Sequence, residues 1–544
     1  MKILQARSFV QVHYHNRPGG VNTVIGHYTV AFAEALMEVS SGFARQSPVT
    51  NLVVCKRDKT EGRAFLPGTI QNIPESGYCS FATKYAFLKT KEILVGGLLA
   101  IIQSPAVKKP LCIVGHNLTL GKNCALSSAF AHCARLCENG KNDVRFFSVI
   151  HDFAEEGRID CLKQIYDLQD LGIGIWNDLY PKAKNLRYIA LNNRNHALLK
   201  KAGFIVDLLR NPVQAGRTKR GIAFQEKKTA YKRLIRYSKR EQGAIDPTLP
   251  TLFYPARVIS RKNVIEAILV SNIICKANLL MGKGGPSPEH RALYAKTRNL
   301  CVKHKAEVVF NSSAAFAPQI PENGFPSILY DVADACISTS IVEGFGYAFF
   351  DSWIKNKCII GRKPLDFSPL PGMKFPGLYT RLPIPVSWIL MHDLAQKYYN
   401  RIRQYYPIRN LRAFSSFAKF KFEFIAAFIK NDAIDFACLD ETMQLDVLNK
   451  LFQSQSMAIE WEKLCGKELK RIRDSIKIGL QPEQSLIRLN RNQIKKKVSG
   501  EEFVRNFIQC FFKTRPAGVS QNRYKEITRY FGELSRFRLL MTPE

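Results

Sequence analysis

Apolar residues come in short runs along this chain, and amphipathic stretches or glycine-bearing turns separate them. Phe9–His15 is such a run, followed by the turn Asn16–Asn22 and an apolar-periodic stretch holding Thr29–Leu36. Asn51–Cys55, Leu111–Gly115, Val144–Ile150 and Leu186–Asn192 repeat the pattern, and a helix with Ala197–Lys200 closes at Gly203. A second series opens at Thr251, with a helix over Val264–Leu269 and strands at Asn278–Met281, Val308–Phe310, Ala335–Ile337 and Cys358–Gly361. Short apolar runs bounded by turn residues, alternating with helical periodicity, predict buried strands of parallel sheets in βαβ units. Met1–Arg7 reads as a first buried strand. Beyond Pro364–Pro369 the spacing turns helical, with apolar stripes in Leu390–Tyr405, Phe417–Ile429, Met443–Phe452 and Phe503–Phe512. The pattern therefore predicts an α/β protein with two Rossmann-like halves and a mostly helical C-terminal region.

Candidate chemistry lies where strands give way to turns. Ala335–Ile337 ends in Ser338, Thr339 and Ser340, and then come Glu343, Gly344, Phe345 and Gly346 before the helix with Tyr347, Phe350 and Trp353. A glycine turn at a helix start leaves backbone N–H groups for an anion such as a phosphate, and glycines let a ligand approach the backbone. Glu343 in the turn and Asp351 inside the helix could reach one ligand. Arg257 and Lys262 flank an earlier turn, where two cations suit a pyrophosphate, and Arg261 leaves the register open. A salt bridge that caps the helix is the competing reading of that pair.

In the first half, Gly19 and Gly20 sit in a strand–turn–helix unit that lacks the dinucleotide fingerprint, so no nicotinamide cofactor is inferred. His116, Asn117, Lys122 and Asn123 follow the strand at Leu111. This is not a P-loop, because five residues separate Gly115 from Gly121. They read as ligand contacts past a strand end or as a capped helix start. His151 and Asp152 end the strand Val144–Ile150, with Arg158 in the polar turn beyond. His13 and His15 share one strand face and read as packed or hydrogen-bonded residues.

Composition narrows the partners. The 544 residues carry 80 Lys and Arg against 45 Asp and Glu, a formal charge of +35. This favours anionic partners such as nucleotide sugars, acidic glycans or anionic lipid surfaces. The basic stretch Ala215–Gln242 has no dense aromatic interleaving of the sort single-strand binding uses, so nucleic acid is disfavoured and a linker with a surface helix is expected. No apolar stretch approaches the roughly 20 residues that span a bilayer. The 14 cysteines are scattered without a Cys-x-x-Cys pair, which points to reduced thiols of a cytoplasmic protein and not to a zinc site.

The spacing from Glu343 to Asp351, with the turn between them, resembles the Glu-x7-Glu signature of retaining GT-B glycosyltransferases, in particular glycosyltransferase family 4. Asp351 stands where that family has a second Glu, one methylene shorter. The glycine loop at Gly19 and Gly20, the strand-end His151, the segment Leu208–Val213 and the pair Arg257/Lys262 resemble further family motifs in the family's order, over about Val10 to Gly361. The resemblance implies two facing Rossmann-like domains: an acceptor-side domain at 1–213, a basic linker at 214–250, a donor domain at 251–385 and bracing helices at 386–544. It implies that Glu343 and the amides of Gly344, Phe345 and Gly346 hold a donor sugar and that Asp351 binds the ribose. Arg257, Lys262, Gly19 and Gly20 would meet the diphosphate, and His151 the sugar. His116, Asn117, Lys122, Asn123, Asp152 and Arg158 are the acceptor-side candidates.

The activity so implied is transfer of a sugar, with retention, from a UDP-, GDP- or ADP-hexose to a sugar or glycan hydroxyl. The nucleotide sugar is a co-substrate; no other cofactor is expected, and with no Asp-x-Asp motif no obligatory metal. Peripheral contact with the anionic inner face of a membrane is a further expectation. Two other readings stand beside this one: a polyanion-binding protein on a degenerate transferase fold, and a phosphorylase of the same architecture.

Overall fold

A computed structural model describes residues 7–17, 19–40, 50–57, 69–138, 143–213, 224–282, 284–285, 288–316, 327–405, 416–512, 521 and 523–541. Met1–Ala6, Pro18, Lys283, 324–326 and 215–223 of the basic stretch lie outside these. The chain divides into two compact units, one of residues 1–214 with 497–532, the other of 215–496 with 533–544.

The first unit is built on a seven-stranded parallel sheet. Its strands are β1 (Ser8–His15), β2 (Thr50–Lys56), β3 (Thr69–Asn72), β4 (Leu111–His116), β5 (Val144–Ile150), β6 (Leu186–Ala190) and β7 (Val206–Leu208), in the order β3-β2-β1-β4-β5-β6-β7. β1, β4 and β5 are buried along almost their whole length, which is why they read as continuous apolar runs. The helix after β1 begins at Gly20, so Gly20, Val21 and Asn22 belong to it and not to the preceding turn.

The last part of this unit comes from the C-terminal region. The helix Gly500–Phe511 lays Phe503, Phe507 and Phe511 against Phe9, Tyr28, Phe32 and Phe147. These aromatic side chains are nearly inaccessible. Burying one such side chain contributes on the order of 2–3 kcal/mol, so this helix is part of the core of the first unit. The shorter helix Tyr524–Phe531 joins it, with Phe531 on Phe153 and Tyr524 stacked on Trp176.

The second unit holds a six-stranded parallel sheet of β8 (Thr251–Tyr254), β9 (Asn278–Met281), β10 (Val308–Val309), β11 (Ala335–Ser338), β12 (Ile359–Arg362) and β13 (Leu378–Tyr379), ordered β10-β9-β8-β11-β12-β13. Both sheets follow the doubly wound Rossmann order, and both reverse direction next to their first strand. Gly361 is required where β12 meets β11. Its φ is +115°, and a Cβ there would lie 2.2 Å from the Ser338 carbonyl oxygen.

The C-terminal region is helical, as the periodicity predicts, but it also carries a small antiparallel sheet that the pattern does not announce. It consists of β14 (Pro383–Pro385), β15 (Ile429–Lys430) and β16 (Ala433–Asp435), ordered β14-β16-β15. A buried ionic network ties it to the larger sheet. Arg362 donates to Glu266 at 2.9 Å and to Asp435 at 2.6 Å, and Tyr379 donates to Glu266 at 2.7 Å. Burial pushes Glu266 up; for Asp435 burial works the same way, but Arg362 outweighs it and holds the carboxyl below its ordinary value. No helix of the described residues is long and apolar enough to cross a membrane, and all fourteen cysteines are free thiols.

Candidate active site

In an open α/β sheet, ligands gather beyond the strand C-termini where the strand order reverses. In the second unit that point lies between β8 and β11. β8 leads through the exposed Arg257 to the 3-10 turn Ser260–Lys262, and β11 leads through Ser338–Ser340 to Glu343. There Lys262 Nζ donates to Glu343 Oε1 in a largely buried ion pair, with the two side chains 14% and 11% exposed. Burial lowers the Lys262 ammonium below its ordinary value against the pull of Glu343. For Glu343, burial alone would raise the carboxyl; Lys262 and Arg261 outweigh it and hold the group below its ordinary value. The turn is therefore a firmly ionised carboxylate beside a lysine that loses its proton more easily than usual.

The backbone around this pair is fixed from several directions. Tyr254 and Thr339 both donate to the Lys262 carbonyl, and Thr339 also donates to the Asn263 carbonyl at 2.8 Å. Asn263 takes the left-handed conformation at φ 52°, and Gln444, from the helix Glu441–Gln453, donates to its side-chain oxygen at 3.0 Å. Ile341 and Val342, just ahead of Glu343, pack with Ala437 and with Leu540 from the end of the chain. The Arg261 guanidinium donates to the Val342 carbonyl at 3.3 Å. Of the two registers left open, the geometry brings both Arg261 and Lys262 to the Glu343 turn. Arg257 is exposed and forms no ion pair with that turn among the described residues.

Beyond Glu343, Gly346 has φ 81° and precedes the helix Tyr347–Ile354, and Phe345 packs on Phe350. Gly344 and Phe345 are half-buried. Asp351 sits one turn into the helix, close enough to Tyr330 and Cys336 to perturb both. Burial pushes its carboxyl up to about 6, with Lys355 opposing.

The first unit has its own polar cluster at the matching place, beyond β1, β4 and β5. His116 is fully buried; its Nε2 lies 2.9 Å from Gln11 Oε1 and its Nδ1 lies 3.4 Å from His151 Nε2. His13 Nδ1 lies 3.1 Å from the His116 carbonyl. Asn117, left-handed at φ 59°, accepts from the backbone N–H groups of His151 and Asp152 and thereby joins the ends of β4 and β5. Burial drives all three imidazoles toward the neutral form: His13 to about 3, His151 to about 4 and His116 well below its ordinary value.

Around this cluster, Asn123 caps the helix Cys124–Leu136 by accepting from Leu126 N–H, and its amide donates to the Glu75 and Gly77 carbonyls. Lys122 lies over the Tyr78 ring. Arg158 pairs with Asp152 at 2.9 Å with both partly exposed. Gly19 and Gly20 are exposed, with open space where a side chain would project. Gln11 in the first unit, and Gln444 and Leu540 in the second, support these clusters without having been foreseen. For Gln11 a signal exists: it falls at i, with His13 and His15 at i+2 and i+4, on one face of β1.

No family model matches the chain. Mannosylglucosyl-3-phosphoglycerate synthase from Petrotoga mobilis is 26% identical over 397 residues, covering 72% of this chain and 72% of that protein. Among solved structures, a glycosyltransferase from Rickettsia africae aligns over 93% of this chain and 98% of its own, with 10% identity and a TM-score of 0.47. A sucrose-phosphate synthase from Thermosynechococcus elongatus aligns over 85% and 99%, with 12% identity and a TM-score of 0.45. At these scores the structural likeness does not extend to substrates or residues. The sequence relative is a glycoside-forming synthase by its name, and it matches most of both chains.

Proposed function

We propose that this chain is a glycosyltransferase that takes a sugar from a nucleotide-sugar donor and passes it to a carbohydrate hydroxyl with retention of anomeric configuration. The observation that carries the reading is the buried Lys262–Glu343 pair at the reversal point of the second sheet. Such a pair has a use if a diphosphate draws Lys262 to itself while Glu343 orients the sugar hydroxyls. The bond from the anomeric carbon to the diphosphate oxygen breaks, and a bond from that carbon to the acceptor oxygen forms on the same face. The acceptor's proton passes to a diphosphate oxygen. Lys262, Arg261 or Arg257, and the backbone N–H groups near Gly344 would stabilise the charge that grows on the leaving diphosphate. Asp351 would take the ribose once ionised. The relative's product name contains a phosphorylated acid, and the net charge of +35 suits an anionic acceptor of that chemical kind.

The test is turnover. Purified chain incubated with UDP-, GDP- and ADP-hexoses should release one nucleoside diphosphate, faster with a phosphorylated glycoside present, and Lys262→Ala and Glu343→Ala should each abolish the release. Unchanged turnover in both variants would defeat the reading.

A further inference from the structure

The hydrogen bonds around His116 fix more than its position. Gln11 Nε2 donates to the Ile25 carbonyl at 3.3 Å and to Thr29 Oγ1 at 2.8 Å, and Thr29 itself donates to the Ile25 carbonyl at 3.0 Å. A carbonyl only accepts, so the amide nitrogen of Gln11 must face it, and its oxygen must face His116. At 2.9 Å from that oxygen, His116 Nε2 carries a proton. A neutral imidazole has one N–H, so His116 Nδ1 is a bare lone pair. The atom 3.4 Å from it, His151 Nε2, must then be the donor. The same count leaves His151 Nδ1 without a proton, and this atom makes no hydrogen bond to the described residues. His151 retains 8% of its surface.

We propose that Gln11 and His116 form a relay that locks His151 in the Nε2–H tautomer, so that its Nδ1 lone pair is held ready to accept a hydrogen bond from a hydroxyl of a bound carbohydrate. Gln11 and His116 are then positioning residues. His116, with no exposed surface, acts on the ligand only through His151. The Tyr28 ring packs edge to face on the His116 ring at 5.2 Å. That Tyr28 in turn rests on Phe503, Phe507 and Phe511 links the C-terminal helix to the tautomer of a strand-end histidine. The lock itself is independent of the reaction; only the choice of a carbohydrate hydroxyl rests on the reading above.

Nitrogen-15 NMR of the histidine rings in the full-length protein at neutral pH reads the lock without any substrate. The His151 signals, assigned with His151→Gln, should show a protonated Nε2 and an unprotonated Nδ1. Gln11 Oε1 is the acceptor that faces His116 Nε2. Gln11→Leu removes that acceptor and should give a mixture of the two His151 tautomers, with kcat falling about 10- to 100-fold and the donor KM nearly unchanged. A His151 ring protonated on Nδ1 in the wild type, or a Gln11→Leu spectrum with the wild-type His151 pattern, would overturn the proposal. Should Gln11→Leu not fold, the wild-type spectrum alone still decides it. A protein that transfers no sugar but shows the locked tautomer would sink the glycosyltransferase reading and leave the relay standing.

Discussion

The two sheets reverse direction in the same way, yet they place opposite chemistry at the reversal point. The first unit buries neutral imidazoles in a chain of hydrogen bonds, Thr29–Gln11–His116–His151. The second buries full charges, Lys262 against Glu343, with the Arg362–Glu266–Asp435 network beneath. Burial costs a neutral ring little once its N–H groups are satisfied, whereas a buried ion is tolerated only with its counter-ion in place. One reversal point is thus suited to orient a neutral hydroxyl by hydrogen bonds, and the other to meet a ligand that brings its own negative charge.

The contrast breaks most severely at Arg362. Arg362→Met would leave the buried Glu266 and Asp435 without their counter-ion and should cost about 3–5 kcal/mol of stability, read as a fall in the urea midpoint of the second unit's transition. In the first unit, His116→Leu leaves Gln11 Oε1 and the His151 Nε2–H unpaired, both neutral groups, and should cost about 1–3 kcal/mol. Equal losses would mean that the two sites are held by the same kind of interaction.

Next in size is the functional effect of Lys262→Ala. Donor turnover should fall about 100-fold or more, while far-ultraviolet circular dichroism stays that of the wild type. A fall in turnover matched by unfolding would assign the pair a structural role alone.

Within the first unit, acid acts on its buried groups in opposite senses. The folded pKa values of His13 and His151, about 3 and about 4, lie below the unfolded value of 6.5. Between pH 6.5 and those values the unfolded chain binds more protons than the folded one, so stability falls as pH drops through that window. The loss per histidine is at most about 1.4 kcal/mol for each pH step crossed. Glu155 works the other way. Burial pushes its carboxyl up to about 7, so its contribution is present below the unfolded value of 4.5 and is lost as pH rises toward 7. Urea midpoints against pH for His151→Gln and Glu155→Gln should show these opposite slopes removed one at a time.

The smallest change is Gly20→Ala. A Cβ at Gly20 meets nothing within 4 Å and the residue begins a helix, so stability should stay level or rise by up to about 1 kcal/mol. Any loss of donor affinity would then report contact with the ligand, measurable by calorimetry.

The two sites were unequally legible in the sequence. Lys262 and Glu343 lie at the ends of β8 and β11, and a short buried strand followed by small polar residues marks such an end in any one stretch of chain. The pairing of Gln11 with His116 spans 105 positions, and no local pattern encodes it, although the alternation of Gln11, His13 and His15 was visible. The register of Arg257, Arg261 and Lys262 also needed three dimensions, because all three are cations on one turn. Among the elements, β14 was hidden by Pro383 and Pro385, since proline argues against a strand and is tolerated here at the sheet edge. The hairpin of β15 and β16 turns on Asn431 and Asp432, both with positive φ, a signal in residue type that the surrounding helical periodicity masked. The 26-residue helix Gln455–Leu480 carries a regular stripe of Trp461, Cys465, Leu469, Ile472 and Ile476, diluted by Gly466, Gly479 and many charges.

The proposed function rests above all on the reading that the charged reversal point of the second unit grips a diphosphate-linked sugar. Titration calorimetry of the wild-type chain and of Lys262→Ala against UDP-, GDP- and ADP-hexoses tests it directly. Binding of one donor by the wild type, weakened about tenfold or more in the variant, is the result predicted. Equal affinity in both proteins, or no affinity of the wild type for any of the three, would contradict it.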